Sequence, residues 1–234
     1  MNNAFIDMAL APRRLAGLVK RRLQHRWRQI MATDTTHGEL AVIRSVLPLR
    51  PPDMIVEVGA NDPFHGSMSW PFIHRGWKAV LIEPHPVAFA RLRREYEKDP
   101  RVTLINAACS NEDGILPLTI GTDGDWGTLS TLCQDDDPIL NQRRTEKEIM
   151  VKVHRLHDLL AQRSVPRNFK VLSVDTEGMD YEVLLGLDLS IFRPQVIVTE
   201  DYARKDAAKY ALLQNAGYEL LGKCDCNSLW RAKS

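Results

Sequence analysis

At 234 residues and 44% hydrophobic content, the chain is long enough for one α/β domain with an added terminal segment and cramped for two full domains. A formal net charge of +1 gives no support to nucleic-acid binding, and no apolar run approaches the roughly 20 residues of a membrane span. Cys109, Cys133, Cys224 and Cys226 lack the paired C-x-x-C spacing of a structural zinc site, and Cys224-Asp225-Cys226 supplies two ligands where a site needs more. Nothing ahead of them reads as a secretion signal, so a reducing cytoplasm is the expected compartment.

The charge is unevenly spread. Seven Lys/Arg fall in residues 1–32 beside a single acid, Asp7, and the remainder is mildly acidic. The spacing predicts a helix from Pro12, with Leu15, Leu18, Val19, Leu23, Trp27 and Ile30 on one stripe. Such a basic amphipathic helix packs on its own domain or a partner chain, or lies peripherally on an anionic membrane at its inner face. A second helix is expected over 36–49 and ends at Arg50-Pro51-Pro52. The domain boundary follows: residues 1–50 form an N-terminal basic amphipathic helical extension, and 51–234 a single domain.

Residues 54–58 read as a short buried strand that stops at Gly59, where the backbone turns into Ala60-Asn61-Asp62. A loosened loop at 63–66 leads to a short helix over 70–75, closed by Gly76. A second strand over 78–82 ends in Glu83-Pro84-His85-Pro86, and a helix over 87–98 turns Phe89, Leu92 and Tyr96 to the sheet. A third strand over 101–106 ends in Asn106-Ala107-Ala108. Residues 115–120 form a further strand, placed at an edge by Pro117. Residues 121–148 show no clear period and are the best candidate for a lid. Strands over 149–153, 170–174 and 195–199 alternate with helices over 157–162 and 181–187, the pattern of a parallel sheet covered on both faces. The strands over 218–223 and 228–232 form an antiparallel hairpin that closes the sheet.

In open parallel sheets, ligands bind beyond the carboxyl ends of the strands, at the first glycine turn, and an acid ending strand two accepts hydrogen bonds from ribose hydroxyls. Gly59 and Glu83 stand at these two places, so a nucleoside-containing cofactor is the first hypothesis. An ordinary strand-end turn with two solvated acids, Glu57 and Glu83, is the alternative.

Glu57-Val58-Gly59-Ala60-Asn61-Asp62, Glu83-Pro84, Asn106-Ala107-Ala108-Cys109-Ser110 and Asp175-Thr176-Glu177-Gly178 come in an order and spacing that resemble the FkbM-type methyltransferases, over roughly residues 54–202. The resemblance implies a Rossmann-like class I methyltransferase fold for 51–234: α/β, with a mostly parallel seven-stranded sheet and a C-terminal antiparallel hairpin. It implies S-adenosyl-L-methionine as cofactor and, most often, a hydroxyl acceptor on a sugar, glycolipid or secondary metabolite. Glu83 then binds the ribose, Gly59 and Asn61 lie near the amino-acid moiety, and Asn106 and Ala107 lie beside the adenine. Three positions depart from the family pattern: Pro63 stands where a second glycine is common, Glu57 where Asp is frequent, and Asp180 where Glu is usual. The longer Glu57 side chain implies an indirect or water-mediated contact to the methionine part of the cofactor.

For the base, the resemblance points to Asp175 at the end of strand four, with Glu177 and His85 as second choices. Asp175, Glu177 and Glu200 offer hard oxygens to Mg²⁺, but the same carboxylates serve equally as helix caps and acceptors of loop amides, so no metal ligand is assigned. Asp180 is expected as a helix cap. Two other readings stay open. A nicotinamide-dependent Rossmann oxidoreductase shares the glycine turn but expects G-x-G-x-x-G, where this chain has Gly59-Ala60-Asn61. A non-catalytic membrane-docking or scaffold protein fits the basic helix. The expected partner is a small-molecule or glycan hydroxyl compound, not nucleic acid.

Overall fold

Short Val/Ile/Leu-rich runs bounded by glycine and proline have no polar face to turn to water, so they bury both faces between helices. The computed structural model describes residues 37–122, 129–133, 138–201 and 206–233, the side chains of 138–140 excepted, all within the unit Thr35–Ser234. The helix expected from Pro12, parts of the 121–148 stretch and the link at 202–205 lie outside the described residues.

In chain order the elements are α1 (Glu39–Val46), β1 (Met54–Val58), α2 (Trp70–Ile73), β2 (Lys78–Ile82), α3 (Pro86–Tyr96) and β3 (Val102–Ile105). There follow β4 (Ala108–Ser110), β5 (Gly114–Gly121), α4 (Pro138–Arg143), β6 (Arg144–Arg155), α5 (Leu156–Gln162) and β7 (Val171–Val174). The chain ends with α6 (Asp180–Leu185), β8 (Val196–Glu200), α7 (Asp206–Asn215), β9 (Tyr218–Cys224) and β10 (Asn227–Ala232). Seven strands form one sheet in the order β3-β2-β1-β7-β8-β10-β9, parallel except where β10 runs against β8 and β9. The fold is thus the expected class I methyltransferase architecture with its antiparallel hairpin. Leu159, Leu160, Val183 and Leu184 of α5 and α6 pack into the core with Leu172 of β7 and Ile197 of β8.

Register decides where chemistry can occur. Val58 pairs with Ile82 on one side and Val174 on the other, and Val174 pairs with Thr199. The strands therefore end nearly level: Gly59, Glu83 and Asp175, which follow β1, β2 and β7, and Glu200, the last residue of β8, reach one edge together.

Several elements differ from the sequence expectation, among them the short β4 and α4, for which no element was expected. The strand expected at 149–153 begins at Arg144, because most of its first half faces solvent and carries charge instead of hydrophobic alternation. It forms a second, three-stranded sheet, β4-β6-β5, in which β5 is indeed an edge, with Pro117 opposite Met150. Helix α7, not expected, buries Lys209 and Leu213, an apolar signal too sparse to read. Helix α1, grouped by sequence with the terminal extension, packs on β9 and β10, with Leu40 and Ile43 fully buried. Among the described residues, no helix is long and apolar enough to cross a membrane.

Candidate active site

The glycine at the end of β1 is required twice over. Its φ of 83° lies in the left-handed region, and a Cβ there would sit 1.8 Å from the Asp175 carbonyl oxygen. That close approach brings the ends of β1 and β7 together. The next turn is tied to β2: the Asn61 N–H donates to Glu83 Oε2 at 2.8 Å, and the His85 N–H donates to Oε1 at 2.7 Å. Glu83 is only 4% exposed, and burial pushes its pKa up to about 7 against the opposing pull of these two N–H groups and of Arg91. Each oxygen has used one acceptor site, so two remain for hydroxyl donors.

Glu83 forms part of a cleft of about 830 Å³, open mouth included, whose wall also carries Gly59, Asn61, Ala108, Cys109 and Asp175. The small residues Ala108 and Cys109 stand on the same wall as Glu83, with Leu118 and Leu132 from the smaller sheet region completing an apolar part.

Other residues singled out from sequence take positions beside this cleft. The Asn61 side chain accepts from Arg91 Nη2 at 3.0 Å. Asn106 does not line the cleft; its amide donates to the Glu83 and Pro84 carbonyls at 2.8 and 3.2 Å and so sets the exit of β2. Ala107 is buried in the core, one residue before the small residues that do reach the wall. His85 is also absent from the wall. Its Nδ1 accepts the Ala88 N–H at 3.4 Å as the N-cap of α3. Glu57 accepts from the Met68 and Ser69 N–H groups at 2.8 and 3.1 Å and anchors the loop after the glycine turn. Burial raises its pKa to about 7. Within that loop Asp62 accepts from the Phe64 and His65 N–H groups at 2.9 Å and pairs with Arg91 at 3.3 Å, so Pro63 is buried in a turn held from both sides.

A second cavity, of about 660 Å³, shares Gly59, Gly66 and Asp175 with the first and runs toward α1 and the terminal hairpin. Its other acids are Glu39, Glu57 and Glu200. Asp175 thus faces both spaces. Burial of the strand end, then the charges of Glu177 and Asp180, raise its pKa well above the carboxylate range. The side chain itself is exposed in the cavity wall, so burial counts for less there and the nearby acids, screened in part by solvent, carry the direction of the shift. Glu200 is raised further, first by burial and then by Asp175. Its Oε2 is buried with no donor among the described residues, and an oxygen of each carboxylate lies within 4.8 Å of the other, so the two acids oppose each other's ionisation.

Glu177, at φ 52°, is drawn off by an ion pair to Arg143 at 3.3 Å, while its carbonyl accepts from Thr131 Oγ1 at 2.6 Å. Asp175, Glu177 and Glu200 still present oxygens within 4.8 Å of one another, a spacing a hard cation could bridge. The buried Asp180 accepts from the Thr176 N–H and Oγ1 at 3.0 and 2.6 Å and from the Glu200 N–H at 2.9 Å, tying the ends of β7 and β8 together. Asp180 is therefore not the helix cap expected from sequence: Met179 is the N-cap of α6, with no side-chain cap bond, and the Asp180 carboxylate turns back to Thr176 and Glu200 instead. Sequence reading missed Glu39, His37, Cys226 and Asn227 in the second cavity, because those residues come together only when the first and last described segments meet.

A parallel sheet of this order, with a glycine turn after the first strand and an acid after the second, defines a class I methyltransferase domain. Residues 57–220 match the family described as the methyltransferase FkbM domain, and the chain belongs to that family. No curated protein sequence matches it. Among solved structures, it overlaps the precorrin-6y C5,15-methyltransferase of Geobacter metallireducens GS-15 at 14% identity and TM-score 0.43, covering 80% of this chain and 74% of that one. Aeropyrum pernix fibrillarin, with natively bound S-adenosyl-L-methionine, overlaps at 11% identity and TM-score 0.45, covering 82% and 73%. The N-methyltransferase NodS of Bradyrhizobium japonicum WM9 overlaps at 9% identity and TM-score 0.41, covering 83% and 94%. Likeness at these scores is too distant to carry any statement about chemistry.

Proposed function

We propose that this methyltransferase uses S-adenosyl-L-methionine to methylate a hydroxyl oxygen of a sugar, glycolipid or secondary metabolite. One observation carries the reading: Glu83 and Asp175 stand at level strand ends on either side of Gly59, in one cleft. When bound, the cofactor supplies a methyl group already activated by its sulfonium. Glu83 accepts from the ribose hydroxyls through its two remaining acceptor sites. Ala108 and Cys109 give a flat ring a small, apolar wall, and the turn Gly59-Ala60-Asn61 leaves room for the amino-acid part.

Asp175 then holds the acceptor from the second cavity. While Glu200 stays protonated, the ionised oxygen of Asp175 accepts the hydroxyl proton as the new carbon–oxygen bond forms. The neighbouring acids Glu177 and Asp180 push its pKa up toward the operating pH, as a general base requires. Calorimetry of the purified protein with S-adenosyl-L-methionine tests the cofactor. Binding with a stoichiometry near one supports the reading, and no heat of binding with a folded protein overturns it. Transfer of labelled methyl to a hydroxyl compound, lost when that hydroxyl is blocked, tests the acceptor class.

A further inference from the structure

The last hairpin turns between β9 and β10 through Asp225 and Cys226, and the segment just before α1 lies against that turn. His37 Nδ1 is 3.3 Å from Asp225 Oδ2, and one ligand atom each from His37, Asp225 and Cys226 lies within 4.8 Å of the other two. The two limbs are fixed from behind. Glu39, fully buried, accepts the His37 N–H at 3.0 Å with one oxygen and the Asn227 side-chain amide at 2.6 Å with the other. The Asp201 N–H donates to the Cys226 carbonyl at 2.7 Å and ties the turn to the end of β8. The backbone on both sides is therefore set by buried groups while the ligand atoms stay reachable.

We propose that His37, Asp225 and Cys226 form a three-ligand site for a divalent cation of the Zn²⁺ type at the rim of the second cavity. Imidazole, thiolate and carboxylate together suit Zn²⁺ or Co²⁺ and are a poor set for Mg²⁺. Tetrahedral ligation needs ligand atoms roughly 3.5 Å apart; His37 and Asp225 already meet at 3.3 Å, and the Cys226 sulfur, within 4.8 Å of both, closes the set by a side-chain adjustment of about 1 Å. A fourth position is left to water. Cys226 enters as the thiolate and its proton passes to solvent. Because His37 and Cys226 both line the second cavity, the cation clasps the segment before α1 to the hairpin across that cavity's edge. The Cys224-Asp225-Cys226 turn, too few by itself, thus contributes Asp225 and Cys226, and His37 adds the third ligand from the other end of the described chain.

The test is a Co²⁺ titration of the full chain after chelator treatment and dialysis, followed by competition with Zn²⁺. The expected result is a thiolate-to-cobalt charge-transfer band that saturates at one equivalent and is displaced by Zn²⁺. Cys226→Ser should abolish the band, and Asp225→Asn or His37→Ala should weaken binding by at least about tenfold, while Cys224→Ser keeps it. The Asp225 and His37 variants keep the test decisive if Cys226→Ser fails to fold. No saturable band, a band that survives Cys226→Ser, or undiminished affinity in both the Asp225 and His37 variants would overturn the site. None of these readouts depends on methyl transfer.

Discussion

At the scale of single residues, the site turns on carboxylates held in unusual protonation states. Glu83 is the clearest, because its two backbone donors fix both oxygens while burial lifts its pKa to about 7. A ribose that donates to those oxygens favours the ionised form. Binding must then expel a proton below pH 7, and affinity should fall by up to about tenfold per pH unit there. Glu83→Gln should flatten that profile and weaken binding by about 1.5 to 3 kcal/mol, the range for hydrogen bonds to a charged group. Calorimetry between pH 5.5 and 8 at roughly half-unit steps checks both parts, and an unchanged profile in the variant would remove Glu83 from the ribose. Asp175 acts later. Asp175→Asn keeps the shape but cannot take a proton, so turnover should drop by a factor on the order of 100 or more with cofactor affinity nearly unchanged. Restoration by Mg²⁺ after chelation would instead make the carboxylate cluster a metal site, and full turnover in the variant would leave Asp175 a structural role only.

At the scale of elements, the two neighbouring acids Asp175 and Glu200 come from the ends of different strands, and Asp180 at the start of α6 ties those ends together. It takes three donors from Thr176 and Glu200, and Lys209 of α7 stands behind it, 2% exposed and paired with Asp201 and Asp206 at 3.1 and 3.3 Å. Removing one partner from such a buried set strands the other charges, so Lys209→Met should cost about 3 to 5 kcal/mol in denaturant unfolding. A loss below about 1 kcal/mol would show that the cluster is not coupled to stability. Nothing in the sequence around Lys209 announces this, because one lysine inside a helix reads as solvated. The strand ends were legible: Gly59, Glu83 and Asp175 follow apolar runs that can only be buried strands, and the parallel order then aligns them. Positions that depend on side-chain direction were not. Asn106 and Ala107 precede the small residues of the cleft wall by one or two places, and a shift of one residue in an extended chain turns a side chain to the opposite face. His85 reads as a catalytic candidate by type, yet its place directly before Pro86 makes it a helix cap.

At the scale of the whole molecule, the level strand ends gather acids that the fold keeps out of water, and that has a consequence for stability. Glu57 and Glu83 are each 4% exposed, with folded pKa values near 7 against 4.5 for the ordinary side chain. Between those values the folded chain binds more protons than the unfolded chain, so stability falls as pH rises through the window from about 4.5 to 7. Each group contributes on the order of 3 kcal/mol across it. Asp99, Asp188 and Asp201 work in the opposite sense: their pKa values are lowered, and the stability they add is lost only in stronger acid. The cofactor-free protein should therefore melt highest near pH 5 and lose several degrees by pH 8, unlike a protein whose acids are all ion-paired at its surface. Saturating S-adenosyl-L-methionine should reduce the loss by favouring ionised Glu83, and Glu57→Gln should reduce it independently of ligand. Calorimetric melting of the free protein at pH 5, 6, 7 and 8 reads the slope directly. A melting temperature that is level or rising over that range would mean that the two buried glutamates are ionised throughout, and the proton ascribed to Glu83 on cofactor binding would have to come from elsewhere.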